Sequence, residues 1–438
     1  MTRLYDDSPR GRLALQNLGS LRTDLLSAEE RGVGIGMPLI ERGGEKFLLA
    51  NLVLQGGGTL GIALLGFIRG LENIGIRFAG LAGTSAGSIV ALLMTCVRKD
   101  AFETPVAEKL LSALTVMPAA SFLDGPYLYR RLIKSFLKRR SFDFGELVLP
   151  ALSALQRLIR CYGLFKGYSF ESWLSRELER LGDIETIDEL RRVLRRLHSN
   201  LLNAFGIADP PVRTDDGDAD RLLSITAMAM PIGEKIVFPL NIDLFDPRYA
   251  RYSPAIMARA SMSIPLFFEP YELRLDDIRW KAYVGEKYEK YYAQSYVEEA
   301  SALEAMFFLD GGLLSNFPID AFATQLYRAA GRRIPTIGVA LTGVDKSRGA
   351  PEPGSMSAFR QYVVKAISSI RYSRDREAVR YVRLAQQVSG GASRPNIAFI
   401  DTGDHNWLNF NLSERDMEDL YLLGLERSVA FIEQILHP

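Results

Sequence analysis

The chain has 438 residues, 47% of them hydrophobic, so it can bury a large core, and length alone allows one elaborate domain or two to three simple ones. Lysine and arginine total 53 against 52 acidic residues, and the formal charge of +1 excludes a global attraction to nucleic acid or to an anionic surface. Two cysteines, Cys96 and Cys161, give neither a disulfide framework nor a paired zinc spacing. Free thiols in a cytoplasmic protein are the expectation, and neither the N-terminus nor any apolar run predicts secretion or membrane crossing.

Residues 1–45 read as an N-terminal extension rich in turn formers. Its GVGIG at 32–36 lacks the preceding strand and following helix of a nucleotide loop. From Lys46 the texture changes. FLLANLVLQ is a continuous apolar run, as a buried parallel strand should be, and it ends in a glycine loop before the helical spacing of LGIALLGFIRGLENIG. RFAGLAG predicts a second strand and SAGSIVALLMTCV a second helix.

Residues 100–205 read as helical throughout, a candidate insertion or lid. Residues 128–166 carry nine basic side chains against two acidic ones, which suits either a solvated helix face or contact with a membrane surface. TDDGDAD at 214–220 lacks the glycine and glutamate of a calcium loop and reads as a solvated loop. LLSITAMAM and KIVFPLNI predict paired strands, MSIPLFFEPYEL a turn into apolar structure, and the tyrosine-rich 281–300 a surface helix or flap. AMFFL predicts a strand ending in Asp310, and TIGVAL another. A flexible loop over 344–357 leads into a helix from FRQYVVKAISSIRY. The strand NIAFIDTG precedes a final helix capped by Ser413 and Asp416. No linker or repeat stands out, so one α/β domain with helical insertions is the economical architecture.

GTSAG, residues 83–87, fits GxSxG between a predicted strand and a predicted helix, the setting of a nucleophile elbow. Small residues at Gly83 and Gly87 would let the Ser85 hydroxyl stand clear, although a simple packing turn would also use them. GGGTLG at 56–61 lies at another strand-to-helix junction. It has no GK[ST] ending and no acid about 20 residues on, so backbone donors for an oxyanion suit it better than a phosphate cradle. A serine needs a base. Of three histidines, His198 and His437 read as surface groups, and His405 is a credible triad member. Asp310, at a strand end before Gly-Gly, is the stronger candidate, with partial desolvation expected to raise its pKa.

GGGTLG, GTSAG and DGG, in this order, resemble the patatin-like phospholipases, and the likeness extends to YLYRRL, GLFKGYSFESWL, ASMSIPLFFEP, LSNFPID and the closing FIDTG. It covers most of residues 47–435. The resemblance implies a three-layer α/β fold with a mainly parallel central sheet flanked by helices and carrying helical insertions, over 46–438. It implies a Ser85–Asp310 dyad, an oxyanion hole from Gly56, Gly57, Gly58 and Thr59, and motif glycines Gly61, Gly83, Gly87, Gly311 and Gly312. No metal or organic cofactor is implied. The substrate would be a phospholipid or other lipid ester met at a peripheral membrane surface, with an activating ligand or partner releasing the enzyme. One position departs from the family: Leu60 stands where Arg or Lys usually precedes the last glycine. The alternatives are an α/β-hydrolase esterase using Ser85, Asp310 and His405, and a catalytically silent lipid-binding scaffold.

Overall fold

The computed structural model describes residues 5–102, 106–127, 129–130, 148–206, 216–323, 334–342, 358, 362, 369, 373–380, 396–403, 405 and 407–437. Its centre is a sheet of nine strands: β1 (Leu39–Arg42), β2 (Glu45–Leu54), β3 (Ile76–Thr84), β5 (Leu223–Met230), β6 (Glu234–Phe238), β8 (Tyr271–Arg274), β9 (Ala305–Asp310), β10 (Thr336–Thr342) and β11 (Ile397–Asp401). Five neighbours, β11-β10-β2-β3-β5, run parallel; β1, β6, β9 and β8 add antiparallel pairs. A separate parallel ladder joins β4 (Gly163–Phe165) to β7 (Leu266–Phe268).

The last eight residues of β2 and all of β3 are buried, which is why they read as mostly apolar runs, broken by Asn51 and Arg77, rather than alternating ones. Successive side chains face opposite sides of the sheet. Leu52, Leu54 and Leu81 join the main core, whereas Val53 and Ala82 join a smaller cluster with Phe317, Phe322 and the segment around Ala378. The main core lies under helices α1 (Pro9–Glu30), α2 (Gly61–Asn73), α3 (Ala86–Val97), α4 (Ala107–Thr115) and, at the end of the chain, α11 (Glu414–Leu436). The sheet is therefore sandwiched between two layers.

Residues before Lys46 are built into this framework: α1 lies against α11, and β1 pairs with β2. GVGIG has a local task, since the amides of Ile35, Gly36 and Met37 all donate to the Glu29 carboxylate. The 100–205 region is not helical throughout. Helices α5 (Val148–Cys161), α6 (Tyr168–Gly182) and α7 (Ile187–Ala204) are interrupted by β4, because GLF finds a ladder partner in β7. His198 is buried, not a surface group; it shares the inner face of α7 with Leu194, Leu197 and Leu201 at helical spacing. Asp216–Asp220 forms a short helix in place of a solvated loop, with Asp220 buried against Arg191 at 2.8 Å.

MSIPLFFEPYEL carries two strands, β7 and β8, around its prolines, following helix α8 (Ala255–Ser261). The tyrosine-rich stretch forms α9 (Asp277–Tyr288) and α10 (Gln294–Ser301), with Trp280 and Tyr288 buried. The capping box at Ser413 is formed as expected: its hydroxyl accepts the Asp416 amide at 3.1 Å. The basic run 131–140, the loop 344–357 and most of the helix expected over 359–372 lie outside the described residues. Among the described residues no helix is long and apolar enough to cross a membrane.

Candidate active site

Parallel β2 and β3 end side by side at Leu54 and Thr84, and the carboxyl ends of such strands are where open α/β sheets bind ligands. Strand β9 approaches from the opposite direction. Strands β3 and β9 share β5 as a neighbour, where Thr226 pairs with Thr84 and the next residue, Ala227, pairs with Asp310. The two strand ends thus meet head-on along β5. Ser85 and Asp310, about half the chain apart in sequence, leave the sheet at one point.

Ser85 occupies φ 51°, ψ −118°, a left-handed backbone that side-chain-bearing residues rarely adopt and that costs on the order of 1–3 kcal/mol. The surroundings enforce it. Its amide donates to Ser261 Oγ at 2.9 Å, that hydroxyl donates to Thr226 O at 2.7 Å, and its own carbonyl accepts the Ser88 amide at 2.9 Å. The turn is too tight for larger neighbours: a Cβ on Gly87 would lie 2.3 Å from Leu54 O, and one on Gly83 would lie 2.3 Å from the Gly87 carbonyl. Helix α3 starts at Ala86, so its amide end favours negative charge at Ser85. Only 4% of Ser85 is exposed, and 6% of Asp310.

Asp310 is held through its backbone and its carboxylate. Its amide donates to Ser263 O at 2.8 Å, the Gly311 amide to Ser261 O at 3.1 Å, and the Gly312 amide to Asp310 Oδ1 at 2.7 Å. Ser261 therefore ties the serine turn to the aspartate turn, and Ser263 holds the aspartate end. Ser263 is anchored in turn by the buried Arg259, whose guanidinium reaches Ser263 Oγ at 2.6 Å, Lys166 O at 2.6 Å and Glu269 O at 2.8 Å. Burial pushes the Arg259 pKa down, an effect opposed by the nearby Glu171 carboxylate.

The glycine loop closes over the same point. A Cβ on Gly56 would lie 3.2 Å from Ser85 Cβ, and one on Gly61 would lie 3.4 Å from Ala86 Cβ. The Gly56 amide donates to Asn316 O at 2.9 Å, and the Thr59 amide to Trp407 O at 2.9 Å. The amides of Gly57 and Gly58 have no protein acceptor among the described residues, and Gly58 adopts φ 55°. Leu60 turns into the main core. Beneath the loop, Gln55 donates to Asp375 Oδ2 at 2.9 Å and accepts the Leu341 amide at 2.7 Å, while Asp375 Oδ1 accepts the Phe317 amide at 2.8 Å.

The His405 ring faces α11, with its Nε2 3.5 Å from Asp419 Oδ2. His437 is exposed at the end of α11. Bordering Gly58, Thr59 and Ala86 is a cavity of about 370 Å³, walled by apolar side chains that include Ile89, Leu114, Met117, Phe410 and Met417. Sequence reasoning assigned no role to Ser261, Ser263 or Asn316. Their signal was present as polar residues inside ASMSIP and LSNFP, two otherwise apolar stretches. Nothing local marks Gln55 as the partner of Asp375.

The sequence profile of a family described as Patatin-like phospholipase matches residues 52–323, a span that contains the glycine loop, the serine turn and Asp310. An uncharacterised protein of Bacillus subtilis, YqhO, is 27% identical over 385 residues, 87% of this chain and 97% of that protein. A lysophospholipase, NTE1, from Kluyveromyces lactis is 37% identical over 104 residues, which make up 22% of this chain and 7% of that protein. NTE1 from Coccidioides immitis is 34% identical over 106 residues, 22% of this chain and 6% of that protein.

Proposed function

The chain belongs to the patatin-like phospholipase family, hydrolases that act on lipid acyl esters, and from that premise we propose that it cleaves fatty-acyl esters of glycerophospholipids through Ser85 and Asp310. The observation that carries this reading is the head-on meeting of β3 and β9 on β5, which delivers a strained serine and a buried carboxylate to one place.

In the proposed reaction the Asp310 carboxylate takes the Ser85 hydroxyl proton as Oγ attacks the ester carbonyl carbon. The oxyanion is received by the amides of Gly57 and Gly58, which have no acceptor among the described residues, and by the amide end of α3. Asp310 returns the proton to the departing alkoxide, leaving an acyl-enzyme and a free alcohol. Water then gives a proton to Asp310 and attacks the acyl carbon, and as the bond to Ser85 Oγ breaks Asp310 passes that proton to Oγ, restoring the hydroxyl while the fatty acid leaves. The apolar cavity beside Gly58 and Ala86 is the proposed seat of the acyl chain.

Fatty-acid release from phospholipid vesicles tests the reading, and two variants sharpen it. His405→Gln is expected to keep activity within tenfold of wild type, because its ring is engaged with Asp419; a triad base would cost roughly 10⁴-fold or more. Met117→Trp narrows the cavity and is expected to lower the ratio of long-chain to short-chain kcat/KM about tenfold or more. An unchanged ratio would remove the cavity from the acyl-binding role.

A further inference from the structure

We propose that the outer face of α5, together with the β4–β7 ladder, is the surface on which the protein docks onto an anionic phospholipid bilayer. Helix α5 has two apolar sides. The inner one, with Ala154 and Leu158, packs on the protein, and Arg157 pins it by donating to Leu164 O at 2.9 Å and pairing with Glu269. The outer one, Leu152, Leu155 and Ile159, follows i, i+3, i+7 spacing and stands 53%, 53% and 69% exposed.

The apolar stripe continues past the helix. Tyr162 and Leu266 are both exposed, and both hold positive φ, at 59° and 70°. Leu266 lies opposite Gly163 in the β4–β7 ladder, next to Tyr162. Two large side chains are thus kept in solvent at the expense of backbone strain, which in folded proteins gathers at functional surfaces.

Charge identifies the occupant. From Leu147 to Phe170 the sequence has no aspartate or glutamate, yet it has Arg157, Arg160 and Lys166. Arg160 and Lys166 are exposed, and the Lys166 ammonium sits 5.5 Å from the centre of the Tyr168 ring. Aliphatic side chains bordered by tyrosine and by basic groups on flexible stems match the layered chemistry of an anionic bilayer surface.

The position fits the chemistry as well. Leu266 is three residues beyond Ser263, so its Cα lies within about 11 Å of the residue that holds the Asp310 amide. On the same ladder, the Phe268 ring meets Phe410, a wall of the cavity, at 6.5 Å. Docking here would set the catalytic mouth at head-group level. The purpose of the surface rests on the acyl-hydrolase reading; its existence is measured without catalysis.

The test is co-sedimentation with vesicles of phosphatidylcholine, alone or mixed with phosphatidylserine. Replacing Leu152, Leu155 and Ile159 together by serine is expected to weaken binding about a hundredfold. Hydrolysis of a water-soluble short-chain ester should stay at the wild-type rate, which also shows that the variant is folded. Arg160→Glu with Lys166→Glu should lower binding to the anionic vesicles roughly fivefold or more per charge and leave neutral vesicles unaffected. Undiminished vesicle binding by the serine variant overturns the proposal, as does a stripe whose loss abolishes self-association instead. If wild type binds through the stripe but hydrolyses no ester, docking stands and the catalytic reading falls.

Discussion

Replacing Ser85 by alanine or Asp310 by asparagine is expected to lower fatty-acid release on the order of 10⁴-fold, and the double variant should be no worse than the weaker single one. The non-additivity follows from their acting as one unit: a hydroxyl with no base is as inert as a base with no hydroxyl. Asparagine is the informative replacement at 310. The Gly312 amide donates to Asp310 Oδ1 at 2.7 Å, and an amide oxygen can still accept it, so the turn is kept while the proton acceptor is lost. Alanine would leave that buried amide unsatisfied and mix a loss of about 1–3 kcal/mol of stability into the result. Retention of wild-type rates in both single variants would rule out the dyad.

The second large effect concerns stability. Gly424→Val, in the middle of α11, is expected to destabilise the protein by about 3 kcal/mol or more, read as a lowered thermal midpoint or as loss of soluble protein. Helices α2 and α11 touch backbone to backbone. A Cβ on Gly424 would lie 1.9 Å from Ala63 O, and on Gly66 1.9 Å from Tyr421 O, so any side chain must drive the helices apart. The consequence reaches the site, because α2 begins at the glycine loop and Met417 of α11 lines the cavity. The family profile stops at residue 323, yet this later helix packs on α2 and α1. An unchanged midpoint for Gly424→Val would contradict the packing described.

The candidate motifs are legible as turns because each is local. GTSAG needs its glycines within two positions of the serine, and GGGTLG must follow directly on a buried strand. Strands β2 and β3 are legible for the same reason, through their mostly apolar runs. What the sequence did not carry is direction and partnership. Nothing in AMFFLDGG says that β9 runs antiparallel to β5 and ends against Thr84. A glycine run announces approachable amides, but which of them are free depends on Asn316 and Trp407, hundreds of residues away. His198 reads as a surface group because the arginine pairs around it look like a solvated helix until the inner face of α7 has something to pack on. The serines of ASMSIP were visible as polar residues in an apolar run, but their role in holding the two turns exists only once both turns are in place.

The central claim is that Ser85 is a nucleophile activated by Asp310, and labelling with a fluorophosphonate followed by peptide mass spectrometry tests it most directly. One adduct is expected on the peptide containing Ser85, formed far more slowly in Asp310→Asn. Absence of label on that peptide, or labelling at an undiminished rate in Asp310→Asn, would contradict it.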